Sequence, residues 1–337
     1  MTWFKELTGI DEQSPEQVRE SLSIDDKFIV CPSGNRISFG RFETPKLAEL
    51  RDLVDRLRIR SGPSTIREAV GDVRQLHADP ANAYAFFQVA SQFNLLEMAS
   101  PSVTPERGIG IYGYDHTQGP ACAIACGGGT IYRNYFADVD GQVGQTSEKQ
   151  IDCSADLGHR LGNINGRLWS MQNGYLFPTD HGLDQISTKL QMMSVDEMNV
   201  LSGELRIGLQ WQADVTIAAS KHQVSQAYCS ALPVAYGRQK KEQWAEFAQL
   251  ILDAAYEATL AAAVINAAKS GVNRVFVTLL GGGVFGNDDG WITAAIERAF
   301  CRHAEHGLDV RIVSYGQSNP VVSELVARLG SQRPTRD

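Results

Sequence analysis

The chain has no stretch of 18 apolar residues, and its opening, MTWFKELTGIDEQ, holds no apolar core of the signal-peptide kind. Neither a membrane span nor a secretory leader is expected. There is no lysine- or arginine-rich run, and the formal net charge of −8 disfavours a nucleic-acid partner held by counterion release. A small anion stays open as a ligand, because backbone dipoles hold one without net positive charge. The six cysteines (Cys31, Cys122, Cys126, Cys153, Cys229, Cys301) show no CxxC or Cys/His spacing. Free thiols in a reducing compartment, and no metal site, are therefore expected. No repeat and no low-complexity linker breaks the 337 residues, whose 43% hydrophobic content suits an ordinary globular fold.

What is present is concentrated between Val272 and Gly316. VFVTLL is a short β-branched run, as in a strand covered on both faces. Gly281, Gly282, Gly283 and Gly286 follow at once, before a helix expected from about Trp291 to Ala304. A loop without side chains that feeds a helix N-terminus leaves N–H groups free for an anion, and the helix dipole favours it. A phosphate or diphosphate is the expected ligand. A loop that merely turns the chain is the bland alternative, although three consecutive glycines are costly in backbone entropy.

Gly281-x-Gly283-x-x-Gly286 also matches the dinucleotide fingerprint, which needs an acid near the end of the next strand. That strand ends VSYG, and its one acid, Asp309, stands at its start. A nicotinamide-cofactor enzyme is therefore disfavoured, and no cofactor is expected.

Residues 66–94, IREAVGDVRQLHADPANAYAFFQVASQFN, supply a second motif. Gly71-Asp72-Val73 reads as a strand end and AYAFFQVAS as a buried strand. With the late glycine loop GGGVFGND, this resembles the macro domain family, and the loop is similar to that of poly(ADP-ribose) glycohydrolases. The chain departs from the family where Asn-Ala-Ala-Asn is expected and Gln88–Asn94 stands instead. The Gln-Glu-Glu element after three glycines is absent, and residues 95–240 are longer than a minimal macro domain needs.

The resemblance implies an α/β fold: a twisted mixed sheet sandwiched by helices, with an N-terminal extension (1–65) docked on a macro-like domain (66–330) that carries a large insertion. It implies ADP-ribose or an ADP-ribosylated protein as partner. The expected activity is removal of ADP-ribose from modified side chains, arginine foremost, as in bacterial effectors of this family. A non-catalytic ADP-ribose reader and a NAD- or nucleotide-processing enzyme are the alternatives. The cytoplasm is the expected location, with translocation as an effector left open.

The resemblance also assigns ligand-binding positions. Asp72 would hold the adenine amino group beside Val73, and Asn94 would close the second strand. Thr117, Gln118 and Gly119 would start a helix beside the diphosphate. Gly281, Gly282, Gly283, Val284, Phe285, Gly286 and Asn287 would form the phosphate loop, with Phe285 over the distal ribose. Tyr315 would stack on adenine. Cleavage at C1 of that ribose needs a carboxyl group, and Asp115, Glu97 and Asp288 are the candidates, with Asp138 and Asp140 behind them. Capping or solvated acids are the bland reading of each.

Elsewhere, KFIVCP, RISFGRF, RIGLQWQADVTI and HQVSQAYCSALPVAYG read as strands, and PKLAELRDLVDRLR as an amphipathic helix. A long alanine-rich helix is expected over Glu242–Ser270. Gly127-Gly128-Gly129 is expected to end the short helix that Gly119-Pro120 begins, before a strand TIYRNYF.

Overall fold

The computed structural model describes residues 1–58 and 62–331. Seven strands form the central sheet: β1 (Arg41–Glu43), β2 (Thr65–Val70), β3 (Phe86–Ala90), β4 (Gly208–Asp214), β5 (Gln223–Cys229), β6 (Arg274–Val277) and β7 (Asp309–Ser314). Their spatial order is β1-β4-β5-β3-β6-β7-β2. The pairs β1–β4 and β4–β5 are antiparallel, and the rest are parallel. The chain thus adopts the expected α/β class, a mixed sheet between helices.

Alternation along β3 displays the two covered faces. Gln88 donates to Thr259 on the long helix, whereas Phe87 stacks on His77 (ring centroids 3.8 Å) from the other side. Helices α1 (Leu47–Leu57), α2 (Val73–Ala78), α3 (Gln118–Ala125), α4 (Gly127–Tyr135), α5 (Lys241–Ser270), α6 (Asp289–Arg302) and α7 (Pro320–Ser331) pack around this sheet. By length and composition α5 resembles a membrane span, yet 89% of its most apolar window is buried inside the protein. Its alanines bring its backbone close to the strands, so it is a core helix.

The N-terminal stretch contributes more than a docked extension. Arg41–Glu43 pairs with β4 as the sheet's edge, and Gly40, at φ +70°, separates it from the strand Arg36–Ser38. A second core, around Phe4, Val18, Ile29 and Tyr135, joins residues 1–39 to the long segment between β3 and β4.

Two local expectations are overturned. TIYRNY is helical, with Phe136 just past the helix end, and the three glycines open α4 instead of ending α3. Aromatic and β-branched residues favour strand locally, but packing overrides them. A Cβ on Gly127 would strike Leu7 and Trp3, and one on Gly128 would strike Ile37. The bare glycine turn lets the helix lie against the N-terminal segment. The Gly-Asp-Val strand also ends early: β2 stops at Val70, Asp72 caps α2, and Val73 is its first residue.

Candidate functional site

Parallel β3, β5 and β6 bring Ala90, Cys229 and Val277 to one rim of the sheet, where ligands of α/β proteins bind. A cavity of about 190 Å³ opens there between the segments following these strands and the start of α3. That volume is below the roughly 300–1,000 Å³ of a complete small-molecule site. It suits one sugar-sized group, with the remainder of a larger ligand outside.

With Gln92, Asp115, Thr117 and Gln118, Glu97 is one of the polar residues that line the cavity. It is 2% exposed, and neither carboxyl oxygen has a hydrogen-bond partner among the described residues. Burial pushes its carboxyl from the ordinary 4.5 up to about 8, against the opposing pull of Arg133. The segment carrying it is fixed at several points. Its backbone N–H donates to the Tyr112 hydroxyl (2.9 Å), and Met98 N–H donates to the Gln92 side chain (2.9 Å). Tyr175 donates to the Met98 carbonyl (2.7 Å). The acid is held in place while its oxygens stay unengaged.

The first turn of α3 stands beside it. Gln118 bridges to β3, accepting from Ala90 N–H and donating to the Gln88 carbonyl, both at 2.8 Å. Asp115 accepts from the backbone and hydroxyl of Thr117, at 2.9 and 2.7 Å. No side chain caps the helix, so the N–H groups of Gln118 and Gly119 stay available at the cavity.

The glycine loop forms the opposite wall. Within it Gly282, Gly286 and Asn287 donate to backbone carbonyls of the same loop. The N–H groups of Gly281, Gly283, Val284 and Phe285 donate to no backbone carbonyl among the described residues, and all four residues line the cavity. Gly281 and Gly286 have structural reasons to be glycine, with φ of +74° and +70° and close neighbours. Gly283 has neither positive φ nor any atom near an added Cβ. Its missing side chain keeps space open. Phe285 packs against Tyr175 (5.3 Å) and Tyr236 (5.8 Å), so an aromatic trio completes the wall.

Of the residues singled out in the sequence, Glu97, Asp115, Thr117, Gln118, Gly119, Gly281, Gly283, Val284 and Phe285 line this one cavity. The others lie apart from its wall. Asp288 caps α6 through Gly290 N–H and pairs with Lys241 at 2.8 Å, half-exposed, the bland role of a helix-starting acid. Asn94 is fully buried, donating to Gln150 and accepting from Leu96 N–H. Asn287 staples the loop through the Leu232 carbonyl, behind the wall. Gly282 and Gly286 serve the loop's internal turns. Asp72 spends a carboxyl oxygen on Arg74 N–H, Val73 is core, and Tyr315 is 81% exposed.

Three residues at or beside the site escaped the sequence reading: Tyr175, Tyr236 and Arg133. Tyr236 fell within a presumed strand and Arg133 within TIYRNYF, while Tyr175 has no local signal at all.

Among solved structures, the chain is similar to the poly(ADP-ribose) glycohydrolase of Thermomonospora curvata, at 15% identity and a TM-score of 0.46, over 93% of this chain and 97% of that one. It is also similar to the Deinococcus radiodurans poly(ADP-ribose) glycohydrolase in complex with ADP-ribose, at 12% identity and a TM-score of 0.45, over 87% and 95%. No protein-family model and no curated protein matches the chain. At such identities and TM-scores, likeness transfers no activity.

Proposed function

We propose that this cleft binds ADP-ribose and hydrolyses the bond between C1 of its distal ribose and a protein side chain, arginine foremost. The observation that carries the reading is Glu97: a buried carboxyl with both oxygens unengaged, at the wall of a sugar-sized cavity. A non-catalytic reader has no need of so costly a group. The diphosphate is met by the unengaged N–H groups of Gly281, Gly283, Val284 and Phe285 and by the first turn of α3. Among the described residues no lysine or arginine lines the cavity, so backbone dipoles hold the anion in this reading.

Glu97, protonated at neutral pH, donates its proton to the leaving nitrogen as the C1–N bond breaks. Positive charge develops on the ribose C1 and ring oxygen. Water adds to C1 and returns one proton to the Glu97 carboxylate, which restores the enzyme. Proton transfer of this kind contributes about 10²–10⁴-fold. Support for a cationic acceptor comes from the lining: Asp115 and three aromatic rings favour a guanidinium over a carboxylate or phosphate neighbour.

Titration calorimetry with ADP-ribose tests binding, and release of ADP-ribose from a mono-ADP-ribosylated arginine peptide tests hydrolysis. Binding with release is the expected result. Binding without release from arginine, glutamate or serine linkages makes the protein a reader, and no binding at millimolar ADP-ribose removes the proposal entirely.

A further inference from the structure

Arg133, on α4, is fully buried, which is costly for a guanidinium unless something requires it. Its Nε donates to the Leu95 carbonyl (3.0 Å) and its Nη2 to the Thr130 hydroxyl (3.2 Å). The guanidinium carbon lies 3.5 Å from the centre of the Tyr228 ring. Nη2 stands 3.8 Å from Glu97 Oε2, inside ion-pair range but beyond a hydrogen bond. Nη1 and both Glu97 oxygens have no hydrogen-bond partner among the described residues.

We propose that Arg133 is a positioning residue for Glu97: it supplies the counter-charge of the ionised carboxylate without hydrogen-bonding it, leaving the carboxyl free to give and retake one proton. This rests on the hydrolytic reading above. A forked guanidinium–carboxylate pair holds the acid ionised and its oxygens occupied. An arginine anchored elsewhere, with its charge 3.8 Å away, stabilises the anion and leaves both oxygens without a hydrogen-bond partner among the described residues.

The other groups near Glu97 do not supply that charge. Burial raises the pKa of Tyr112, Cys122 and Tyr228, so each stays neutral near pH 7. Asp115, which lines the same cavity, has the wrong sign. Leu95, whose carbonyl anchors Arg133, lies two residues before Glu97, so one segment holds both members of the pair.

The test is an isotope-edited infrared titration of the Glu97 carboxyl, its band assigned by its loss in Glu97→Gln. It needs no turnover, so it stands whether or not the hydrolytic reading does. An opposite charge at this range lowers a carboxyl pKa by about 1–3 units. Arg133→Met is therefore expected to move the Glu97 midpoint up by about 1–3 pH units, with the alkaline limb of kcat following and KM nearly unchanged. Arg133→Lys, which keeps the charge, is expected to titrate near wild type. If the methionine variant does not fold, Arg133→Gln, which keeps a donor for the Leu95 carbonyl, takes its place. A midpoint unmoved in the folded neutral variant overturns the proposal. A moved midpoint in a wild-type protein that hydrolyses nothing supports the Arg133–Glu97 relation while removing the proposed reaction.

Discussion

Gly119 packs against Glu97 with no room to spare: a Cβ at position 119 would run into the Ala90 carbonyl and stand 3.2 Å from the Glu97 Cγ. The start of α3, the end of β3 and the buried acid therefore fit together only with no side chain at position 119.

Gly119→Ala is expected to destabilise the protein by about 1–3 kcal/mol, the usual range for an overpacked interior. Because the methyl group pushes on Glu97 itself, turnover should fall by more than the melting temperature alone explains. Melting curves alongside release assays, run well below the transition, separate the two effects. Wild-type stability and rate in this variant would mean that the contact is slack.

Stability should depend on pH through Glu97 with a definite sign. The unfolded chain ionises this glutamate near 4.5, whereas the folded chain keeps it protonated to about 8. Its contribution is therefore fully present below pH 4.5 and is lost as pH rises toward 8. Glu97→Gln should flatten this decline and melt above wild type at pH 8. His77 and His303 act oppositely, because burial pushes them down to about 4 and about 3. Their contribution holds above pH 6.5 and fades as pH falls toward 4. Thermal melts from pH 4 to 9 read both slopes, and a Glu97→Gln curve parallel to wild type above pH 5 would contradict the assignment.

The glycine loop should divide by position. Gly281→Ala puts a methyl group on a φ of +74° and within 2.5 Å of the Ala231 Cβ. It should cost more than about 1 kcal/mol of stability. Gly283→Glu meets open space, so it should fold and melt as wild type does. Its bulk and charge nevertheless enter the position proposed for the diphosphate, and ADP-ribose affinity should drop at least tenfold, about 1.4 kcal/mol. Calorimetry on the folded variant decides, and an unchanged dissociation constant would assign the loop to chain reversal alone.

Legibility from sequence followed the range of the interactions. The β-branched run at Val275–Val277, the helix start at Gly119-Pro120 and the alanine-rich α5 are local signals, and each produced its element. The cavity wall was legible where a loop closely follows a strand, as at Gly281, Gly283, Val284 and Phe285. Arg133 and Tyr175 were invisible because their roles depend on partners far along the chain: Arg133 on Leu95 and Tyr228, Tyr175 on Met98 and Phe285. Asp72 and Asp288 misled because an acid before a helix looks the same whether it caps the turn or awaits a ligand.

The most direct test of the account is single-turnover release of ADP-ribose from a mono-ADP-ribosylated arginine peptide, with wild-type protein and Glu97→Gln compared at pH 6 and pH 9. Wild type should release ADP-ribose at pH 6 and slow markedly at pH 9, where Glu97 has lost the proton it must donate. Glu97→Gln should be slower by about 10²–10⁴ at pH 6, with ADP-ribose affinity within a few-fold of wild type. Equal rates for the two proteins, or a wild-type rate that does not fall between pH 6 and pH 9, would contradict Glu97 as the acid.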